Sequence, residues 1–232
     1  MRHLRFTRAV LSVAAAGTVA CASIASAQSQ VKWEIMPFAG YYIASDLFTA
    51  YPGTPAATGS SHVELTNSFM WGGRLMAFNG RGGLEFSYTR AGSDLKLDRT
   101  LTGQNNADVG RLNLDSYDLN LVGYEPSGNP KVTPYGLIGI GWSITHPDIN
   151  QGFNTGPQVD GKSLFNFSFG LGAKIEMRDK LAMRLEGRWR ITDTNIDTNS
   201  GVWCDPFGYC YSYASQWYNS GELMGGLSYS FK

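Results

Sequence analysis

The chain has 232 residues, with 19 Lys+Arg set against 19 Asp+Glu, and a formal net charge of zero. That balance gives no electrostatic case for nucleic-acid binding. Beyond the N-terminus, no run approaches the ~18 consecutive apolar residues that a membrane helix needs, which excludes a helical membrane protein.

The N-terminus reads as an export signal. Arg2, Arg5 and Arg8 supply the positive end, residues 9–20 form a short apolar stretch, and Ala25-Ser26-Ala27 is a small-residue cleavage pattern. The apolar run is too short to span a bilayer. A lipoprotein signal ending at Cys21 fits less well, because Thr18 stands where such signals carry Leu. The reading is therefore a signal peptide over residues 1–27 and one domain over residues 28–232. The leader takes three arginines and no acids with it, so the mature chain is mildly acidic. Cys21 also leaves, and Cys204 and Cys210 remain as a pair. Two cysteines in an exported chain predict a disulfide, and they are too few for a Cys-only zinc site.

The mature chain reads as eight strands, over residues 31–44, 67–78, 83–91, 112–124, 133–145, 163–177, 181–192 and 218–232. Two of them are especially clear. In 164–177, Phe165, Phe167, Phe169, Leu171, Ala173, Ile175 and Met177 share one face, while Asn166, Ser168, Gly170, Gly172, Lys174 and Glu176 share the other. In 181–191, Leu181, Met183, Leu185, Gly187, Trp189 and Ile191 oppose Ala182, Arg184, Glu186, Arg188 and Arg190. Side chains alternate across a strand, so each has one oily and one charged face. The connections at 79–82, 126–130 and 178–180 are short; those at 45–66, 92–111, 146–162 and 193–217 are long. Short turns on one rim and long loops on the other are the pattern of a transmembrane β-barrel. The fold class is all-β: an eight-stranded antiparallel up-and-down barrel.

Alternation alone does not say which face is inside, and a soluble barrel would point its oily face inward. Three features favour the membrane arrangement. The polar face mixes charges with small residues such as Gly226, Ser228 and Ser230, which suit a crowded lumen. Aromatics lie near strand ends: Trp33, Tyr41, Tyr88, Tyr117, Trp142, Trp189, Tyr229 and Phe231. The last strand keeps its alternation to Phe231, as a closing strand should.

The stretches Gly83-Leu84-Glu85-Phe86-Ser87-Tyr88, Thr133-Pro134-Tyr135-Gly136-Leu137-Ile138-Gly139-Ile140-Gly141, Leu181-Ala182-Met183-Arg184-Leu185-Glu186 and the closing strand resemble the small OmpA-like and OmpX-type outer-membrane barrels. The resemblance covers essentially the mature chain. It implies the outer membrane of a Gram-negative bacterium, contact with lipid and lipopolysaccharide, insertion by the barrel-assembly machinery, and a monomer. The family's terminal assembly signal usually ends on Phe; here Lys232 follows Phe231. The resemblance is specific for a fold and not for an activity.

On the polar face the candidate lumen charges are Lys32, Arg74, Lys174, Arg184, Arg188 and Arg190, against Glu34, Glu85, Asp118, Glu176, Glu186 and Glu222. Buried charges must pair, so a structural network is expected, with a small passive channel as the alternative. A lipid-modifying enzyme is the third reading. Its usual base is His, and the mature chain has only His62 and His146, both expected in loops. No catalytic, cofactor or metal residue is assigned. Residues 193–199 look briefly like a calcium loop, but Thr198 replaces the required Gly and Cys204 the closing Glu. The fourth long connection crowds Trp203, Phe207, Tyr209, Tyr211 and Tyr213 around the cysteines, which suits either an external binding surface or a lid over the barrel mouth.

Overall fold

The structure is a computed structural model that describes residues 31–44, 46–52, 61–99, 107–125, 131–149, 163–193, 202–204, 210–212 and 217–231. The leader and the greater part of residues 193–199 lie outside them. The strands are β1 (Lys32–Ala44), β2 (Asp46–Pro52), β3 (Ser61–Leu65), β4 (Ser68–Phe78), β5 (Gly82–Arg99), β6 (Ala107–Tyr124), β7 (Val132–Ile149), β8 (Ser163–Arg178), β9 (Leu181–Asp193), β10 (Val202–Cys204), β11 (Cys210–Ser212) and β12 (Trp217–Phe231). Eight of these pair in the ring β1-β4-β5-β6-β7-β8-β9-β12, every neighbour antiparallel. The ring closes where β12 returns to β1, from Trp33 opposite Phe231 to Ala44 opposite Ser220. Closure removes the exposed edges that an open sheet must protect.

The eight expected strands are all present, and the long-loop rim is more ordered than the sequence suggests. β5 runs on to Arg99 and β6 begins at Ala107, so both extend into what reads as a loop at 92–111. The alternation in fact runs on through Ser93 and Leu95, both buried. One irregularity at Leu95/Lys96 absorbs the register change. Residues 45–66 carry the short strands β2 and β3, and β3 pairs with the upper end of β5. β11 pairs with β2 and with β10, so a small sheet stands on this rim.

Two backbone details show how residue type shapes the wall. At the opposite rim, Gly80 adopts a left-handed φ of 92°. The Asn79 side chain accepts the N–H groups of Arg81 and Gly82 at 3.3 Å each, which closes a tight β4–β5 turn. In β1, Pro37 has no N–H to donate, and the pairing with β12 skips Met36 and Pro37.

The faces sort as the membrane arrangement requires. Ile35, Phe86, Leu119, Ile140, Phe167, Leu171, Leu185 and Leu227 are all exposed on the outer wall. Arg74, Glu85, Asp118, Arg184, Arg190 and Glu222 are buried inside. Water would not tolerate so continuous an apolar girdle, so the soluble-barrel alternative fails. Trp33, Tyr229 and Phe231 lie at the short-turn side of the girdle, and Tyr41, Tyr117 and Trp142 at the other. On β1, the eight residue steps from Trp33 to Tyr41 span about 20 Å of height at the usual strand tilt, close to the apolar band of outer-membrane barrels.

Leu185 lies outward between these belts. Leu185→Arg is expected to destabilise the folded barrel by about 2–4 kcal/mol, measured by denaturant-dependent folding into lipid bilayers. A neutral effect would contradict its placement in hydrocarbon. Gly139 faces inward, and a Cβ there would collide with the Asn120 side chain. Gly139→Val should therefore lower the yield of heat-modifiable folded protein, whereas Gly136→Val, on the outer wall with ordinary contact to Leu171, should not.

Candidate functional site

The lumen is filled by one connected charge network, and β9 is its hub. Arg184, Glu186, Arg188 and Arg190 occupy four successive inward positions on that strand and are all buried. Their partners come from strands across the barrel and, for Glu222, from the neighbouring β12. Arg190 donates to both Asp118 carboxylate oxygens at 2.6 and 3.0 Å, and through Nε to Glu222 at 2.7 Å. Arg74 on β4 makes a two-pronged bond to Glu186, at 2.6 and 2.8 Å. Arg184 donates to Glu85 at 2.7 Å and lies over the Tyr135 ring, 4.6 Å from its centre. Arg188 lies 3.1 Å from Glu186 and 3.3 Å from Asp118. Toward the short-turn rim, Lys174 donates to Glu34 at 2.6 Å, with its ammonium 4.9 Å from the Phe78 ring.

Five buried cations thus meet five buried anions: Arg74, Lys174, Arg184, Arg188 and Arg190 against Glu34, Glu85, Asp118, Glu186 and Glu222. A lone charge here would cost several kcal/mol, and pairing offsets that cost. The fork of each guanidinium suits two-pronged contact with a carboxylate better than an ammonium would.

Two expected members fall outside the network. Lys32 has the right parity, but it opens β1 opposite Phe78 and is exposed. Glu176 reaches Lys174 only at 3.5 Å, and its side chain is 43% exposed. Both sit at the mouth, where water solvates them, so alternation placed them on the correct face but not at a buried height. Several neutral members escaped the sequence reading. Asn120 donates to Glu85, Tyr135 to Glu186, Ser87 to Asp118, and Asn166 accepts from Arg190. Their inward parity was legible; attention to charge alone passed them over.

Apolar layers border the network. Met76, Val122, Tyr135 and Leu137 cluster toward the short turns, with Phe78 and Tyr124 against them. A larger cluster runs from Met36 and Phe38 to Leu65, Leu95 and Leu112 near the long rim. Within it the hydroxyls of Tyr42 and Tyr218 bond at 3.0 Å. A cavity of about 30 Å³ sits beside this pair, lined by Leu65, Leu112 and Thr145 among others. That is room for a water or two and no more.

The histidines are not where the sequence reading put them. His62 lies in β3. His146 lies in β7 and points out of the barrel, with Nε2 3.4 Å from Asp115 Oδ2. The β6–β7 pairing continues to Ile149, past residue 145 at which the expected strand ends. Cys204 and Cys210 stand directly opposite each other in the β10–β11 pairing.

The outer membrane protein beta-barrel domain is the family whose model matches, over residues 12–231. Among solved structures, OprG from Pseudomonas aeruginosa superposes with a TM-score of 0.64 at 11% identity, covering 87% of this chain and 96% of that one. The Neisserial surface protein A gives 0.52 at 13% identity, covering 86% and 97% respectively. No curated protein matches the chain. Identities this low establish a shared fold.

The Arg190–Asp118 pair offers a direct check of the network. Asp118→Asn alone should cost about 3–5 kcal/mol, because Arg190 and Arg188 lose a buried counter-charge. Adding Arg190→Met should recover part of that loss. Strict additivity in equilibrium unfolding would mean that the two side chains do not depend on each other.

Proposed function

The chain belongs to the outer membrane protein beta-barrel domain family, and from that premise we propose that it is a non-catalytic surface barrel of the outer membrane, serving envelope integrity and adhesin-like contact. One observation carries this reading: the lumen is occupied by paired charges and bordered by apolar side chains. Such an interior stiffens a barrel and leaves no path for solutes. The passive-channel alternative is the weaker one for the same reason.

The remaining parts of the proposal follow from topology. A signal peptide cleaved after Ala27 delivers the chain to the periplasm, and the barrel-assembly machinery inserts it as a monomer. Both ends of the ring, Lys32 and Phe231, lie at the short-turn rim, so that rim is periplasmic. The long rim then faces outward into the lipopolysaccharide layer. There β5, β6 and β7, of 18 residues each, rise beyond the 11-residue β4 and carry β3, β2, β11 and β10. This raised sheet is the element available to an external ligand. A surface role also suits the name of the Neisserial surface protein.

Planar-bilayer recording tests the central claim. The refolded protein should give no steady conductance, and a stable open level would replace the scaffold reading with the channel. The opposed cysteines generate a second expectation. Cross-strand residues lie within the Cα separation of a disulfide, and export makes oxidation available. Intact mass after alkylation should show no free thiol without reductant and two with it. The Cys204→Ser, Cys210→Ser double variant should keep heat-modifiable migration yet be cut faster between residues 193 and 217.

A further inference from the structure

Among the described residues, the outer wall carries a polar cluster where β5, β6 and β7 leave the aromatic belt. Tyr88, Tyr117 and Trp142 share a rung of the outer face, and Trp71 packs edge-on against Tyr88 at 6.2 Å. Such a belt marks the boundary between hydrocarbon and headgroups. The next rung holds Arg90 opposite Asp115, and the rung above it holds Gly92, Asn113 and His146. Each rung adds about 5 Å of height at the usual tilt, which places Arg90 and His146 at headgroup level.

The cluster is organised around Asp115. Its carboxylate faces the outside yet is only 10% exposed. Tyr88 donates to it at 2.7 Å, His146 Nε2 lies at 3.4 Å and Arg90 at 3.9 Å. Asp115 thus lies between the Arg90 guanidinium and the His146 ring and is covered by them. Their outer surfaces stay available: the side chains of Arg90 and His146 are 46% and 57% exposed. Arg111 adds a second guanidinium. Its backbone shares a rung with Asp94 and Asp148, but its guanidinium reaches down over Gly92, 3.2–3.3 Å from where a Cβ would stand. The missing side chain at Gly92 makes that reach possible. Arg111 therefore reaches the rung above Arg90, the one that also holds His146. On the other outward walls above the belt, the described residues Ile43, Ser163, Asp193 and Asn219 include no cation.

We propose that Arg90, Arg111 and His146 form a docking site for the phosphate of a phosphorylated glycolipid headgroup in the outer leaflet. Two guanidiniums at headgroup height supply positive charge and forked donors for a phosphate, and the His146 ring adds a polar group on the far side of Asp115. The Trp71, Tyr88, Tyr117 and Trp142 rings below provide a surface for the first segment of the acyl chains and for the sugar ring. This site rests on the membrane reading above and gives that reading a specific lipid partner.

Native mass spectrometry of the folded protein in neutral detergent tests it, with three lipids as probes: bisphosphorylated lipid A, the same lipid without phosphates, and phosphatidylglycerol. The wild type should hold bisphosphorylated lipid A at least tenfold more tightly than either of the others. Arg90→Gln with Arg111→Gln should remove at least tenfold of that preference. Arg178→Gln with Lys180→Gln, at the other rim, should remove none. Equal binding of the dephosphorylated lipid would overturn the site, as would equal binding of phosphatidylglycerol, and neither arm needs a variant. A preference that survives the double arginine change in a heat-modifiable, folded barrel would overturn it too. Failure of the wild type to form any heat-modifiable species in lipid would strike the membrane reading itself.

Discussion

Closing eight strands on themselves is the constraint on which the rest of this molecule depends. A backbone in hydrocarbon has no water to satisfy its N–H and C=O groups, so each must find a partner in the sheet. The β1–β12 seam completes that requirement and also sets the radius. At eight strands the interior is just wide enough for side chains, so whatever faces inward is forced into contact. The charge network follows from that narrowness. In a wider barrel the same residues would line water; here Arg184 and Arg190 are fully buried and must meet carboxylates.

The same radius explains the division of labour between inward residues. Large cations and acids occupy the middle, and small residues occur where a neighbour needs room. Gly141, for example, leaves its space to Asp118, the carboxylate that receives Arg190. Aromatic and sulfur-containing side chains close the two ends. The outer wall obeys a different demand, set by lipid, and therefore uses the complementary half of every strand. One alternating pattern thus answers two solvents at once.

Much of this was legible in residues 165–177 and 181–191, where a two-residue period sets oily side chains on one face and, Ala182 apart, polar residues or glycine on the other. Period is a local property, and so is strand identity. The height of a residue along the barrel axis is not local, which is why Lys32 and Glu176 were placed on the right face but not at the exposed mouth they occupy. Cross-lumen partners were equally out of reach. Glu85 and Arg184 are 99 residues apart, and nothing in alternation says which carboxylate lies opposite which guanidinium. The upper walls extend beyond the expected strand ends at residues 91, 112 and 145. In this barrel the ladders continue through Gly92 and Pro147, and Arg111 and His146 of the Asp115 cluster lie in those extensions.

The four charges on β9 also bear on how the ring finds its correct alignment. A slip of one residue between strands exchanges the faces and puts charge into lipid, which hydrophobicity alone forbids. A slip of two residues is more insidious, because every side chain keeps its proper face. The ladder hydrogen bonds also re-form, and the oily wall remains oily. On β9, however, such a slip would move Arg184, Glu186, Arg188 and Arg190 a full rung from Glu85, Arg74 and Asp118, whose positions are held by other strands. Four charged bonds would be lost together. The network therefore acts as a combination lock on sheet register, distinguishing the one alignment that fits from near neighbours that hydrophobicity would accept.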